Sequence, residues 1–200
     1  ADFMCPESFI TQVGLIKRLR ILEEYPSSEI VKLEARHAMT ANVQTVESMD
    51  TLGHIAHLLV NTRHNGFPVV HSIDEKGNRM LKPQFRNFVT RRKLFVMLRN
   101  ELKVKLKELP ELVSQDRVRI PPELLHETLD VLGKLGGNKA LYTNLGMVVQ
   151  PDVPMYRVYR FFSQLGMRHV CVVDPTGTLH GIITRSDILL LDAAEEAAEE

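Results

Sequence analysis

The residues best able to do chemistry in this chain cluster at two places. One is Thr184-Arg185-Ser186-Asp187, at the junction of an apolar strand and a helix. Hydroxyls and a carboxylate at a helix start can serve a ligand, since the N-terminal dipole favours phosphate. The same spacing also describes an ordinary first turn, with Thr184 as N-cap and Asp187 complementing the dipole. The other is His64-Asn65-Gly66, ahead of the apolar Phe67-Pro68-Val69-Val70. Small residues there let backbone N–H groups approach a ligand, although a histidine before a glycine is equally at home in a solvated turn. His169 and Cys171 alternate with Val170 and Val172 on a strand, and no third ligand or base stands at useful spacing, which points to burial and not to metal ligation or nucleophilic catalysis. No nucleophile–base pair, metal cluster or phosphate-binding glycine-rich loop occurs, and Gly136-Gly137 is too short to be one, so an enzyme is not expected.

The elements that position these residues form an internal repeat. Val46 to Val70 can be laid on Val149 to Val173 without a gap. In the first copy Leu52, Ile55, Ala56 and Leu59 share one helical face, and Gly66 to Val70 follow as a strand. In the second, Met155, Val158, Phe162 and Leu165 form the stripe, Gly166 ends the helix, and His169 to Val173 are the strand. Turn-forming residues come next, Asp74 to Asn78 and Asp174 to Gly177, then the strands Asn87 to Thr90 and Gly181 to Thr184, each feeding a helix. The first copy carries a hairpin about nine residues longer. At about 50 residues one unit buries too little to stand alone, so the two should pack face to face.

Between the copies, Asn100 to Lys139 is charged and holds Pro110, Pro121 and Pro122, as a linker with short helices would. The last eight residues are only Ala and Glu, an acidic tail without an apolar face of its own. Lys+Arg and Asp+Glu both number 25, which gives no long-range attraction to nucleic acid. Cys5 and Cys171 lack disulfide or zinc spacing and suit a reducing compartment. No apolar stretch approaches the ~20 residues of a membrane span, and the N-terminus has no signal-peptide apolar region. The basic runs Lys17-Arg18-Leu19-Arg20 and Arg91-Arg92-Lys93 read as solvated helix faces, and Tyr156, Tyr159 and Phe162 as core or dimer contact.

Each copy, the second with a strand ending Gly-Ile-Ile-Thr-Arg-Ser-Asp, resembles a cystathionine-beta-synthase (CBS) motif, and the tandem resembles a CBS pair, an α+β fold of two small sheets with flanking helices related by a pseudo-two-fold axis. Thr62 to Val70 is similar to the first CBS motif of intracellular and plant-type CLC proteins, and Gln164 to Val173 to their second. Glu7-Ser8-Phe9 with Leu15 to Leu22 looks like the stretch joining their last membrane helix to the first motif. The division this implies is a joining segment at 1–37, motif one at 38–100, a linker at 101–143, motif two at 144–192 and a tail at 193–200.

The resemblance implies the regulatory domain of a chloride channel or chloride/proton exchanger. It would lie on the cytosolic face of an organelle or plasma membrane, with its own CLC transmembrane domain and a second copy as partners. It requires no cofactor, and ATP, ADP or AMP is an optional ligand between the motifs. In such a cleft His64 would stack on adenine and Pro68 close its other side, beside Asn65, Gly66 and Phe67. Thr45 is the nearest match to the family's hydroxyl residue, Asp187 would hold the ribose hydroxyls, and Thr184 and Ser186 would meet phosphate. Lys93 stands at the place of Asp187 in the first copy, which implies at most one nucleotide per chain. Two other readings of a CBS pair are a soluble AMP- or ATP-sensing subunit of a kinase or metabolic enzyme, and a purely structural dimerisation module with an empty cleft.

Overall fold

The computed structural model describes residues 22, 26–73, 78–105, 120–136 and 147–191. The joining segment up to residue 21 with Cys5 and its basic run, the first copy's hairpin turn at 74–77, the linker parts 106–119 and 137–146, and the acidic tail lie outside the described residues. Two short helices come first, α1 (Ser28–Lys32) and α2 (Ala35–Ala38). The first copy then runs β1 (Val46–Glu47), β2 (Met49–Thr51), α3 (Leu52–Asn61), β3 (Gly66–Ile73), β4 (Arg79–Thr90) and α4 (Arg91–Lys105). Between the copies stand a 3-10 turn (Pro122–Leu124), β5 (Thr128–Asp130) and α5 (Val131–Lys134). The second copy comprises β6 (Met147–Val149), α6 (Met155–Ser163), β7 (His169–Val173), β8 (Leu179–Thr184) and a helix over 185–191, α7.

The repeat survives as geometry, rung by rung. β1 lies parallel to β3 with Val46 opposite Val69, and β6 lies parallel to β7 with Val149 opposite Val172. The antiparallel partners also match: Gly66 with Thr90 and Phe67 with Val89 in one sheet, His169 with Thr184 and Val170 with Ile183 in the other. Even the bulge recurs, between Val69 and Val70 and again between Val172 and Val173. A bulge bends a strand and re-aims the side chains beyond it, so its repetition turns both sheets alike.

Alternation along each central strand divides it between two cores. Phe67 and Val69 enter a first cluster with Leu52, Ile55, Leu94 and Leu98, while Val170 and Val172 enter a second with Met155, Tyr159, Phe162 and Ile188. Each such buried side chain contributes about 1.5–3 kcal/mol through removal from water. Cys171 and Val173 face the other way and meet Phe88 across the two sheets, with Phe85, Leu179 and Ile182 around them. Phe85 N–H donates to Gly177 O at 2.8 Å, which fastens β4 to the turn of the opposite copy.

Local capping explains where the helices begin and end. Thr51 caps α3 by accepting from His54 N–H at 3.1 Å, and Thr62 closes it by donating to Leu58 O at 2.7 Å. The β7–β8 turn is built on Asp174, whose Oδ1 accepts from the backbones of Thr176 and Thr178 at 2.9 Å each, and Gly177 takes the φ of +85° that the turn requires.

The copies exchange segments. α1 and α2 precede the first copy yet pack on the second, for Ile30 and Ala35 are fully buried in its core. Ala35 N–H donates to Val153 O at 2.8 Å and Met155 N–H to Leu33 O at 2.8 Å. Reciprocally, Leu129, Val131 and Leu135 enter the first core, and β5 pairs antiparallel with β2.

Two helical stripes differ from the sequence expectation. In α3 the third fully buried position is Leu58, with Ala56 and Leu59 only partly covered. α6 ends at Ser163, so Leu165 falls beyond the helix, beside Gly166 at φ +63°, and is exposed instead of completing the stripe. Tyr159 and Phe162 are core, whereas Tyr156 is exposed.

Candidate ligand cleft

A cleft of about 520 Å³ lies between the copies. Three pieces line it: the strap Thr40 to Gln44 leading from α2 to β1, the loop Arg63 to Gly66 between α3 and β3, and the end of the β7–β8 hairpin. The hairpin contributes Arg168, His169, Ile182 and Thr184 to Ser186.

The loop is held by Arg91, the first residue of α4. Its backbone N–H donates to Asn65 O at 2.8 Å, and its guanidinium donates to His64 O at 3.3 Å, to Thr62 Oγ1 at 3.4 Å and to Leu59 O. His64 remains exposed, with its ring edge-on to Phe67 at 6.2 Å between centroids. Gly66 has a packing reason: a Cβ there would sit 2.4 Å from the Phe88 ring. That ring lies against His169 at 4.3 Å and 39°, an aromatic contact made across the two copies beneath the lining residue His169.

The strap is seated by backbone pairing. Thr40 N–H donates to Ile182 O at 2.9 Å and Ile182 N–H returns to Thr40 O at 3.1 Å. Gly181 makes this close approach feasible, because a Cβ would come within 2.7 Å of Thr40 O and 2.9 Å of Met39 Sδ. Its counterpart in the first sheet is Asn87, opposite Val69 as Gly181 is opposite Val172.

The electrostatics are one-sided. Arg63, Arg168 and Arg185 line the cleft, no acidic residue does, and none of the three forms an ion pair among the described residues. Burial pushes the His169 ring below the ordinary histidine range, aided by the charge of Arg168 and opposed by a backbone hydrogen bond with Arg168. Three guanidiniums carry fixed positive charge in the lining. Such a concavity attracts and orients an anion.

Of the residues singled out from sequence, His64, Asn65, Gly66, Thr184 and Ser186 line the cleft together. Thr45 does not, although its neighbours Asn42 to Gln44 do. Phe67 is fully buried in the first core and Pro68 is buried beside it, so neither reaches the lining. Asp187 turns back on its own helix, where its Oδ2 accepts from Thr184 N–H at 2.7 Å and Thr184 Oγ1–H at 2.8 Å. Lys93 in the first copy makes the plainer contact, its N–H donating to Thr90 Oγ1 at 3.3 Å. Sequence reasoning passed over Arg63, Arg168 and Arg185, each of which stands inside a segment already marked as distinctive.

The fold is a tandem of two α+β units sharing a cleft, and the CBS domain pattern matches residues 35–98 and 147–193. The chain belongs to the CBS domain family. It is similar to chloride channel protein CLC-d of Arabidopsis thaliana, 26% identical over 92% of this chain and 25% of that protein. It is likewise similar to human H(+)/Cl(-) exchange transporter 7, 26% identical over 84% of this chain and 22% of that protein. The chain thus spans about a quarter of the length of these relatives. Among solved structures, CBSX2 in complex with AMP aligns with a TM-score of 0.47 and 19% identity, over 82% of this chain and 98% of that one.

Proposed function

We propose that the chain is the cytosolic regulatory domain of a CLC-type chloride channel or chloride/proton exchanger, binding an adenine nucleotide between its two CBS motifs. The carrying observation is the cleft, basic throughout its charged lining and built jointly by both copies. The similarity to CLC proteins along most of the chain supplies the context. His64, Asn65 and Gly66 meet the base side, Thr184 and Ser186 the phosphate side, and Asp187 stands behind Thr184. The domain acts on its own transmembrane domain, and a second copy completes the dimer.

The strap Thr40 to Gln44 directly follows α2 in the chain, and α1 and α2 follow the segment proposed to join the membrane domain, so the strap is the covalent route by which occupancy of the cleft would act on the membrane side. Calorimetric titration of ATP, ADP and AMP into the domain tests the reading. Binding that stops when excess nucleotide already fills the cleft supports it, and absence of heat with all three at about millimolar concentration removes the nucleotide. In the full-length transporter, chloride flux that responds to cytosolic nucleotide supports regulation. Preference for AMP together with a co-purifying kinase or metabolic enzyme would assign the chain to a soluble energy-sensing subunit instead.

A further inference from the structure

We infer that Asn65 is a self-acting modification site: the Gly66 backbone nitrogen attacks its side-chain amide, and the chain is left with aspartate or isoaspartate at this position. The inference goes beyond the nucleotide reading and holds whether or not a ligand enters the cleft.

Asn65 is the one asparagine in the chain that precedes a glycine. Asparagine is thermolabile because the next residue's nitrogen can close a five-membered ring on its side-chain carbonyl carbon, and a Cβ on that residue obstructs the approach. The strand register leaves the attacking group free. Antiparallel pairs alternate between those that exchange hydrogen bonds and those that do not. Arg91 N–H donates to Asn65 O at 2.8 Å, so the bonded pairs are 65 with 91 and 67 with 89, and Gly66 opposite Thr90 falls between them. The Gly66 N–H therefore points away from β4, on the side of the cleft it lines, and has no partner among the described residues. The second copy obeys the same alternation: Arg185 N–H donates to Arg168 O, and Ile182, in an unbonded pair with Cys171, turns its N–H outward to Thr40 O.

The group under attack is free as well. Asn65 is exposed, and its side-chain amide has no hydrogen-bond partner among the described residues. Arg91 grips the loop through main-chain carbonyls and the Thr62 hydroxyl and leaves that amide alone. The other described asparagines lack this combination. Asn61 donates to His57 O, and Asn87 is buried with its Oδ1 accepting from Phe88 N–H at 2.7 Å, the nitrogen that would have to attack. Asn42, Asn78 and Asn100 precede Val43, Arg79 and Glu101, each with a Cβ in the way.

The Gly66 nitrogen gives its proton to solvent base and bonds to Asn65 Cγ. The tetrahedral oxyanion collapses, the Cγ–Nδ2 bond breaks, and the side-chain nitrogen takes up a proton and leaves as ammonia. Water opens the resulting succinimide at Cγ to give aspartate, or at the main-chain carbonyl to give isoaspartate. A water is consumed for each ammonia released. Aspartate puts a carboxylate into a lining whose charged groups are otherwise arginines. Isoaspartate lengthens the main chain by a carbon at the entry to β3 and takes the Arg91-bonded carbonyl out of it.

The test incubates the whole domain without ligand at about pH 8, where solvent base is available, beside the same chain unfolded in urea, and follows both by peptide mapping and ammonia release. In the folded domain the peptide holding Asn65 should gain the amide-to-acid mass shift, split between aspartate and isoaspartate, at a rate within about tenfold of the unfolded chain. Peptides holding Asn42, Asn61, Asn87 and Asn100 should stay unchanged. Asn65→Gln should abolish the shift, and is preferred to Gly66→Ala, whose Cβ would lie 2.4 Å from the Phe88 ring. Far-ultraviolet dichroism establishes that the variant is folded. Folded-state conversion slower than this, or another asparagine converting as fast as Asn65, would overturn the inference. Ammonia release from Asn65→Gln equal to that of wild type would overturn it too.

Discussion

Gly181→Ala isolates the contact that seats the strap on the second copy. The added methyl would lie 2.7 Å from Thr40 O and 2.9 Å from Met39 Sδ. The sulfur belongs to a flexible side chain that can swing aside, but Thr40 O is backbone and is itself bonded to Ile182 N–H. Ordinary contact requires the strap to retreat by roughly half an ångström or more, which weakens both Thr40–Ile182 hydrogen bonds, worth about 1 kcal/mol each. Overpacking a close approach adds a cost of about 1 kcal/mol at its lower end, so the expected loss is about 2–3 kcal/mol. In a chain of this size that lowers the thermal midpoint by about 4–10 °C. Gly166→Ala is the matched control: it has nothing within 4 Å of a Cβ and a φ of +63°, so it meets only backbone strain, about 1 kcal/mol. Urea unfolding of both variants, with ligand titration alongside, is the assay. Gly181→Ala should also weaken binding, since Thr40 to Gln44 line the cleft, and Gly166→Ala should not. A Gly181→Ala domain within about 0.5 kcal/mol of wild type, binding normally, would refute the view that the strap is held by this pairing.

Arg91→Met removes the guanidinium that ties the His64 loop to α4. The expected loss is about 1–2 kcal/mol, with weaker ligand binding, and Arg91→Lys should recover only part because one ammonium cannot span three acceptors. Burial pushes the Cys171 thiol up to about 12, so in a Cys5→Ser background the native domain should resist alkylation at pH 8 and react fully once unfolded; rapid native labelling would contradict its burial. His169 is held below its ordinary range, so the unfolded chain takes up a proton at higher pH than the folded one. The stability arising from this difference is complete above the ordinary histidine range and declines as pH falls through it. His169→Gln should flatten that decline in urea titrations between about pH 7.5 and about pH 5.5, and an unchanged slope would place the sensitivity elsewhere.

The repeat was legible because β-sheet register and core alternation write themselves into residue types at fixed spacing. Val46, Val69, Val149 and Val172 could be matched before any strand was seen. The exchange of segments was not, because it depends on which copy a short helix lands on, and Ala35 and Leu129 share equivalent pairings without sharing a side-chain pattern. In the site, residues from both stretches marked in the sequence line the cleft, but the sequence did not show which of their side chains reach it. Phe67 looks like a ligand contact beside Gly66, yet period-two alternation sends it into the core. Arg63, Arg168 and Arg185 stood inside the marked stretches without a role of their own. That they line one cleft follows from the meeting of the hairpin end of one copy with the loop of the other.

That exchange predicts where the chain can be cut. A fragment of residues 38–105 contains every strand of the first sheet but lacks Leu129, Val131 and Leu135, which are 1%, 0% and 5% exposed in its core. At about 2 kcal/mol for each buried side chain, their loss removes about 6 kcal/mol, most of what a small domain has. It also leaves β2 without β5, with Leu52 and Gly53 N–H groups deprived of Glu127 O and Leu125 O. A fragment of residues 41–136 retains all of these and should unfold cooperatively in urea, whereas 38–105 should show no transition. The second copy obeys the mirror rule: residues 147–191 need α1 and α2, which the chain supplies from in front of the first copy. Neither core is therefore complete until the segment neighbouring the other copy is present, and the strap that lines the cleft leads directly from one such segment, α2, into β1. Equal, cooperative unfolding of 38–105 and 41–136 would show that each repeat carries a sufficient core of its own and that the exchanged segments are ornament.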